Sequence, residues 1–227
     1  MAQARPSMTR FYLLLVAVAV AGGGALWWVV RGSAPKSIPA NIVVSAADTA
    51  GFRGYLLGSD TAPVEITEFG DYQCPACGQF EQMQFPTVRA QLVETGRIRW
   101  RYMDFPLDNI HQWARLAAHA AACADEQGHY WPMHELLFRN QAVWSNDSRA
   151  GSLFRDYAGQ VGVDLGQYDG CMNDIKYAGR IQAMAEQGIR TGVNATPTLL
   201  IGGRLYNYIG SDQIKALVDS LEQAATP

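Results

Sequence analysis

The sequence is poor in charge, and above all in positive charge where it would matter. Asp, Glu, Lys and Arg make up 17% of the 227 residues, and the formal net charge is −3. Residues 1–40 hold Arg5, Arg10, Arg31 and Lys36 and no acid, which leaves 14 bases against 21 acids in the remainder, a balance of −7. A body this acidic excludes a nucleic-acid partner, which would demand a basic face. Internal repeats and low-complexity tracts are absent, which excludes solenoid and array architectures. A hydrophobic share of 48% excludes a disordered or fibrous chain. Cysteine is sparse as well, at four residues, with no second C-x-x-C to complete a structural zinc site. The run His134-Glu135-Leu136-Leu137-Phe138 lacks the second histidine of a metalloprotease helix. No metal and no cofactor is expected.

One long apolar run is present. Phe11–Val30 carries no charge between Arg10 and Arg31. At about 1.5 Å rise per residue it is long enough, as a helix, to cross the roughly 30 Å hydrocarbon core. Trp27 and Trp28 sit where an interfacial aromatic belt would lie. This predicts a cytoplasmic tail (1–10) and a transmembrane signal anchor (11–30), with the body outside the cytoplasm. A cleaved signal is the alternative, since Ala17-Val18-Ala19 and Ala19-Val20-Ala21 have the small-x-small form of a cleavage site. Residues 31–59 are rich in Gly and Pro and read as a tether. A domain over 60–227 follows.

Within that domain, Pro63–Phe69 alternates as a strand, with Val64, Ile66 and Glu68 on one face. Arg97–Met103 reads as a second strand. From about 106 to 192 the chain reads as helical. Ser152 is expected to cap one helix, and apolar spacing over Tyr168–Gly188 predicts another. Thr198–Ile201 and Leu205–Ile209 flank Gly202-Gly203 and predict a hairpin, followed by a helix capped by Ser211. The order places a β-α-β half and a β-β-α half around a helical insertion. That is an α/β thioredoxin-like fold with an inserted α-helical domain.

The chemistry lies in Cys74-Pro75-Ala76-Cys77, at the junction of strand and helix. Residues i and i+3 at a helix start bring two sulfurs close enough for a dithiol/disulfide couple. Cys74 would meet unpaired backbone N–H groups and the positive end of the helix dipole, which favour its thiolate. A stabilised thiolate leaves readily, so the disulfide form is the better oxidant. Cys77, one turn further in, is expected to be more buried and to resolve the mixed disulfide. Pro75 suits the first helical turn. Cys123 and Cys171 lie on predicted helices of the insertion. In an oxidising compartment they would pair as a structural disulfide, worth about 4 kcal/mol by loop entropy; otherwise they are two buried thiols. Thr196-Pro197, taken alone, reads as a turn. His111, His119 and His129 lack partner spacing and are expected at surface or packing positions. Trp113, Trp131, Trp144, Tyr157 and Tyr168 fit a core, or in part a hydrophobic groove for unfolded chains.

Several stretches together resemble the DsbA-like thiol:disulfide oxidoreductases of the thioredoxin superfamily. They are Glu68-Phe69-Gly70-Asp71-Tyr72-Gln73 before the cysteine motif, Ala120-Ala121-Ala122-Cys123-Ala124, Tyr130-Trp131-Pro132-Met133-His134, and Gly192-Val193-Asn194-Ala195-Thr196-Pro197-Thr198. The resemblance covers about Asp60 to Glu222. It implies that Cys74 is the nucleophilic cysteine and Cys77 the resolving one. It implies a cis Pro197 facing the dithiol, with Thr196 pairing to an extended client beside Pro75 and Ala76. It also implies that Glu68 is a buried acid that shuttles a proton with Cys77; the other reading of Glu68 is a solvated carboxylate at the strand end. The implied partners are reduced or unfolded extracytoplasmic proteins and a membrane quinone-linked reoxidant. One departure stands out. The well-known enterobacterial members have His before the second cysteine where this chain has Ala76, which predicts a less oxidising couple. A reductase, an isomerase or a non-catalytic chaperone built on the same fold remains open at this point.

Overall fold

The computed structural model describes residues 8–32 and 37–225. These fall in two units, Met1–Pro35 and Lys36–Pro227. Helix α1 (Met8–Gly32) belongs to the first. Among the described residues, no helix is long and apolar enough to cross a membrane. The anchor expected over 11–30 is therefore helical without being shown to span. Its end from residue 25, with Trp27 and Trp28, lies outside the described side chains, as does most of the expected tail.

The second unit opens with a short helix, α2 (Ala46–Thr49), and a short strand, β1 (Tyr55–Leu57). Both fall inside the stretch expected as a tether. Tyr55 is buried and stacks on Tyr130. Three residues between Gly54 and Gly58 are too few to show periodicity in sequence, which is why this strand was not foreseen. The core strand β2 (Val64–Gly70) leads into α3 (Pro75–Met83) and α4 (Phe85–Val88). Pro86 stands in the first turn of α4, where its missing N–H is not needed, and the break from α3 falls just before that turn. A π-helical turn (Arg89–Val93) then delivers the chain to β3 (Ile98–Asp104).

The insertion comprises α5 (Ala114–Asp125), α6 (Tyr130–Arg139), α7 (Gln141–Trp144), α8 (Ala150–Gln160), α9 (Leu165–Asn173) and α10 (Ala178–Thr191). Two expectations need correction. Helix α8 starts at Ala150, two residues before Ser152, which is therefore not its cap. The single helix expected over Tyr168–Gly188 is two, broken at 174–177, where Ile175 takes a positive φ of 45°. Its apolar spacing continued across the break and concealed it. Asp164 caps α9 by accepting from the Gln167 N–H at 2.8 Å. Gly192, with φ 97°, ends α10 in the left-handed conformation that glycine adopts without cost.

Strands β4 (Thr198–Ile201) and β5 (Arg204–Asn207) form the expected hairpin, and α11 (Ser211–Ala225) closes the domain, with Ser211 as its first helical residue rather than its cap. Gly202 and Gly203 both have positive φ, as a two-residue hairpin turn requires. The sheet order is β1-β3-β2-β4-β5. Strand β2 runs parallel to β3 and antiparallel to β4, so Glu68 faces Tyr102 on one side and Leu199 on the other. Apolar layers cover both faces. Ile66, Phe80, Phe85, Ile98, Trp100, Ile214 and Val218 form one layer, and the insertion helices with Phe69, Met103 and Phe138 the other. Each fully buried aliphatic or Phe side chain contributes roughly 1.5–3 kcal/mol. Residues 66–70 of the central strand are all buried between these layers.

Candidate active site

Four residues separate β2 from α3, and Asp71 organises them. Its buried carboxylate accepts from the Gln73 N–H (2.7 Å) and the Leu107 N–H (2.8 Å) and pairs with His111 Nδ1 (2.8 Å). Its carbonyl accepts from the Cys74 N–H at 3.1 Å. From α7, Gln141 Nε2 donates to the carbonyls of Tyr72 (2.7 Å) and Cys74 (2.8 Å). Gln73 bridges the Ser145 carbonyl and the Trp113 N–H. A loop buried beneath the insertion thus finds partners for its polar groups, without which it could not be buried.

Cys74 is the N-cap of α3, in extended backbone conformation with Pro75 following. It is only 7% exposed, and Cys77, one turn on, is fully buried. Both are free thiols. Cys74 Sγ lies 3.3 Å from the carbonyl oxygen of Thr196, to which the thiol donates. The Thr196–Pro197 peptide bond is cis. The Cys74 thiol is lowered to about 6. The hydrogen bond from the Cys77 thiol contributes most; the Thr196 hydroxyl and the backbone N–H groups of Cys77 and Ala76 add to it, and partial burial opposes them. Cys77 moves the other way. Burial, then the neighbouring Cys74, then Glu68 push its thiol well above the usual range. The Asp71 N–H points at its sulfur from 3.5 Å. The two sulfurs of one couple are therefore driven apart, one toward thiolate and one toward thiol.

Glu68 is completely buried, and neither of its carboxylate oxygens has a hydrogen-bond partner. A solvated strand-end carboxylate is excluded. Burial and the Glu81 carboxyl beside it raise Glu68 well above the ordinary carboxylate range, and Cys74 adds to the rise. Sequence reasoning overlooked Glu81, although its position four residues after Cys77 on α3 places both on one helix face. Burial raises Glu81 too. It also overlooked the pairing of His111 with Asp71, which raises the imidazole, and the two hydrogen bonds of Gln141.

Cys123 and Cys171 are joined in a disulfide that ties α5 to α9. With His119 they form a group of three donors within 4.8 Å of one another, but both sulfurs are already bonded. His119 is held neutral, at about 4, by burial. Its Nε2 accepts from the Tyr177 N–H (3.2 Å), so Nδ1 carries the proton and faces Met172 Sδ (3.2 Å) rather than an ion. Trp144 and Tyr168 belong to the core, not to a groove.

The thioredoxin family model matches residues 53–220. Among proteins with curated names, the chain is 36% identical over 165 residues to Na(+)/H(+) antiporter NhaA 3 of Salinispora tropica. That match covers 73% of this chain and 24% of the relative, so the chain spans about a quarter of the length of that protein. It is 24% identical over 168 residues to disulfide bond formation protein D of Bacillus subtilis, covering 72% of this chain and 75% of the relative. Among solved structures, oxidised BdbD of Bacillus subtilis aligns with a TM-score of 0.66 at 24% identity, over 73% of this chain and 90% of that one.

Proposed function

The chain belongs to the thioredoxin family, and we propose that it is of the DsbA-like form, a protein thiol:disulfide oxidoreductase that donates disulfides to other proteins outside the cytoplasm. The observation that carries this reading is the contrast within one couple. Cys74 sits at a helix mouth 3.3 Å from the Thr196 carbonyl and is lowered to about 6, while buried Cys77 is raised.

The steps follow from that contrast. A client thiolate attacks Cys74 Sγ of the disulfide form. A client–Cys74 bond forms, the Cys74–Cys77 bond breaks, and the electron pair leaves on Cys77. Cys77, buried and basic, takes up a proton, and Glu68, a buried acid whose charge acts on Cys77, can supply it. A second client thiolate then attacks the client sulfur and displaces Cys74 as its stabilised thiolate. The client is oxidised by two electrons and the couple is reduced. The Thr196 backbone, alongside Pro75 and Ala76, offers an edge to an extended client segment. Elsewhere on the domain a cleft of about 580 Å³ is lined by Phe105, Leu107, Ile110 and Asn194. A membrane quinone-linked partner would restore the disulfide.

The Cys123–Cys171 disulfide supports an oxidising compartment. Two routes lead there: residues 11–30 kept as an anchor, or removed as a signal. The N-terminal sequence of the mature protein separates them.

The test is to trap substrates on Cys77→Ala expressed in the native compartment. The reading expects mixed disulfides to Cys74 with several exported proteins, absent from Cys74→Ala. A Cys74→Ala protein that supports client folding as well as the parent would instead mark a chaperone.

A further inference from the structure

The Cys123–Cys171 bond lies among soft donor atoms that a plain cross-link does not need. His119 and Cys123 stand four residues apart on α5 and so share one face. Cys171 and Met172 are consecutive on α9. His119 Nδ1 lies 3.2 Å from Met172 Sδ and 3.7 Å from Cys123 Sγ. The imidazole and the two cysteine sulfurs all lie within 4.8 Å of one another. His119, Cys123 and Cys171 are buried, while Met172 is half-buried and gives the group an edge to solvent. The chemistry of Cys74 and Cys77 uses none of these four side chains.

The spacing suits ligands around one ion. Donors about 2.0–2.3 Å from a tetrahedral ion stand roughly 3.3–3.8 Å from one another. The imidazole is already at about that distance from the thioether and from Cys123 Sγ. Only the two cysteine sulfurs must draw apart, which opening their bond allows. The donors are then two thiolates, one thioether and one imidazole. Among the described residues no carboxylate joins the group, so hard cations, which take oxygen ligands, are excluded. Thiolate with thioether selects a cuprous ion, whereas zinc sites are built from Cys, His and carboxylate. With Nδ1 on a metal, the ring proton passes to Nε2, where the Ile175 carbonyl offers an acceptor. The contact from the Tyr177 N–H to Nε2 is given up in exchange.

We propose that the opened Cys123–Cys171 pair, with His119 and Met172, is a site for one cuprous ion, so that α5 and α9 are joined either by a disulfide or by a metal. An external dithiol opens the bond. Its two sulfurs become a disulfide, and its two electrons and two protons pass to Cys123 and Cys171. The cuprous ion then displaces both thiol protons and bonds to the two Sγ atoms, Met172 Sδ and His119 Nδ1. Copper stays monovalent throughout. Metal binding therefore competes with reoxidation of the pair. The site shares no ligand with the Cys74/Cys77 couple, and the proposal stands whether or not that couple donates disulfides.

The test uses the full chain carrying Cys74→Ser and Cys77→Ser, which leaves Cys123 and Cys171 as the only cysteines of the four. It is titrated without oxygen against a coloured cuprous chelator, as the disulfide and after reduction by a dithiol that is then removed. The reduced form should withdraw one cuprous ion per chain and bind it at least about a hundredfold more tightly than the disulfide form. Met172→Leu and His119→Gln should each weaken the reduced form by about tenfold or more. X-ray absorption at the copper edge should show sulfur together with imidazole nitrogen. Equal uptake by the two forms, no uptake by the reduced form, or an affinity unchanged in both Met172→Leu and His119→Gln would overturn the proposal. If reduction alone unfolds the chain, circular dichroism decides. The cuprous ion should then restore the helical signal, and failure to restore it would overturn the proposal.

Discussion

His111 Nδ1 lies 2.8 Å from Asp71 Oδ2, so a histidine from the loop after β3 is anchored to the residue that shapes the cysteine loop. Asp71 raises the imidazole above its usual value, and the Cys74 sulfur adds to the rise. The influence is mutual, since a cation that gains from a thiolate also favours it. His111 thus partly fills the place that Ala76 leaves empty inside the motif.

His111→Gln should therefore raise the Cys74 thiol modestly, as read by ultraviolet absorbance of the thiolate during titration. It should also cost stability in a pH-dependent way. The folded value of His111 lies above the unfolded value of about 6.5, so its contribution is complete below that pH and fades as the pH rises through the folded value. Chemical denaturation should find the variant most weakened in mild acid and close to the parent in alkali. Equal destabilisation at both ends would show that the imidazole acts by packing alone.

The Cys74 titration itself should centre near about 6 in the reduced protein. Cys77→Ala should move it upward, because the Cys77 thiol is the largest of the groups that stabilise the thiolate. Cys74 is lowered relative to its unfolded value, so the reduced form gains stability as the pH rises above that midpoint and loses it as the pH falls through it. A midpoint near that of free cysteine would contradict the helix-mouth argument.

Gln141 holds two carbonyls of the cysteine loop through one amide nitrogen. Gln141→Ala should destabilise the domain by about 1–3 kcal/mol, because two part-buried carbonyls lose their donor. Thermal and denaturant unfolding would measure this. A change below about 0.3 kcal/mol would mean that water replaces the amide without cost.

Replacing Cys123 and Cys171 together by alanine should cost about 2–5 kcal/mol and leave the rate of attack by Cys74 unchanged. The disulfide joins α5 to α9, and the hydrogen bonds that shape the Asp71 loop go to other residues. An altered rate of attack would place it in the redox machinery rather than in the scaffold.

What sequence could reveal here was what is local. Cys74-Pro75-Ala76-Cys77 announces both the helix start and the couple, because thiolate chemistry and N-terminal geometry depend on neighbouring residues. Strand alternation put Glu68 on one face with Val64 and Ile66 but left a solvated carboxylate open, and only the family resemblance pointed to a buried acid; Gly202-Gly203 was legible through the turn it requires. Glu81 could have been found by the same reasoning, since it follows Cys77 by one helical turn. His111 with Asp71 and Gln141 with the Tyr72 and Cys74 carbonyls could not. Each is a contact between elements far apart in the chain, and no spacing rule connects them. Strand β1 was missed because three residues cannot show a period. The α9–α10 break was missed because apolar residues continued in phase across it.

The most direct test of disulfide donation is the equilibrium reduction potential of the Cys74/Cys77 couple, measured in glutathione buffers. The account predicts a value more oxidising than about −200 mV and short of the roughly −120 mV of the strongest oxidases, since Ala76 supplies no imidazolium. A value near about −270 mV, as in thioredoxin, would contradict it and assign the couple to reduction.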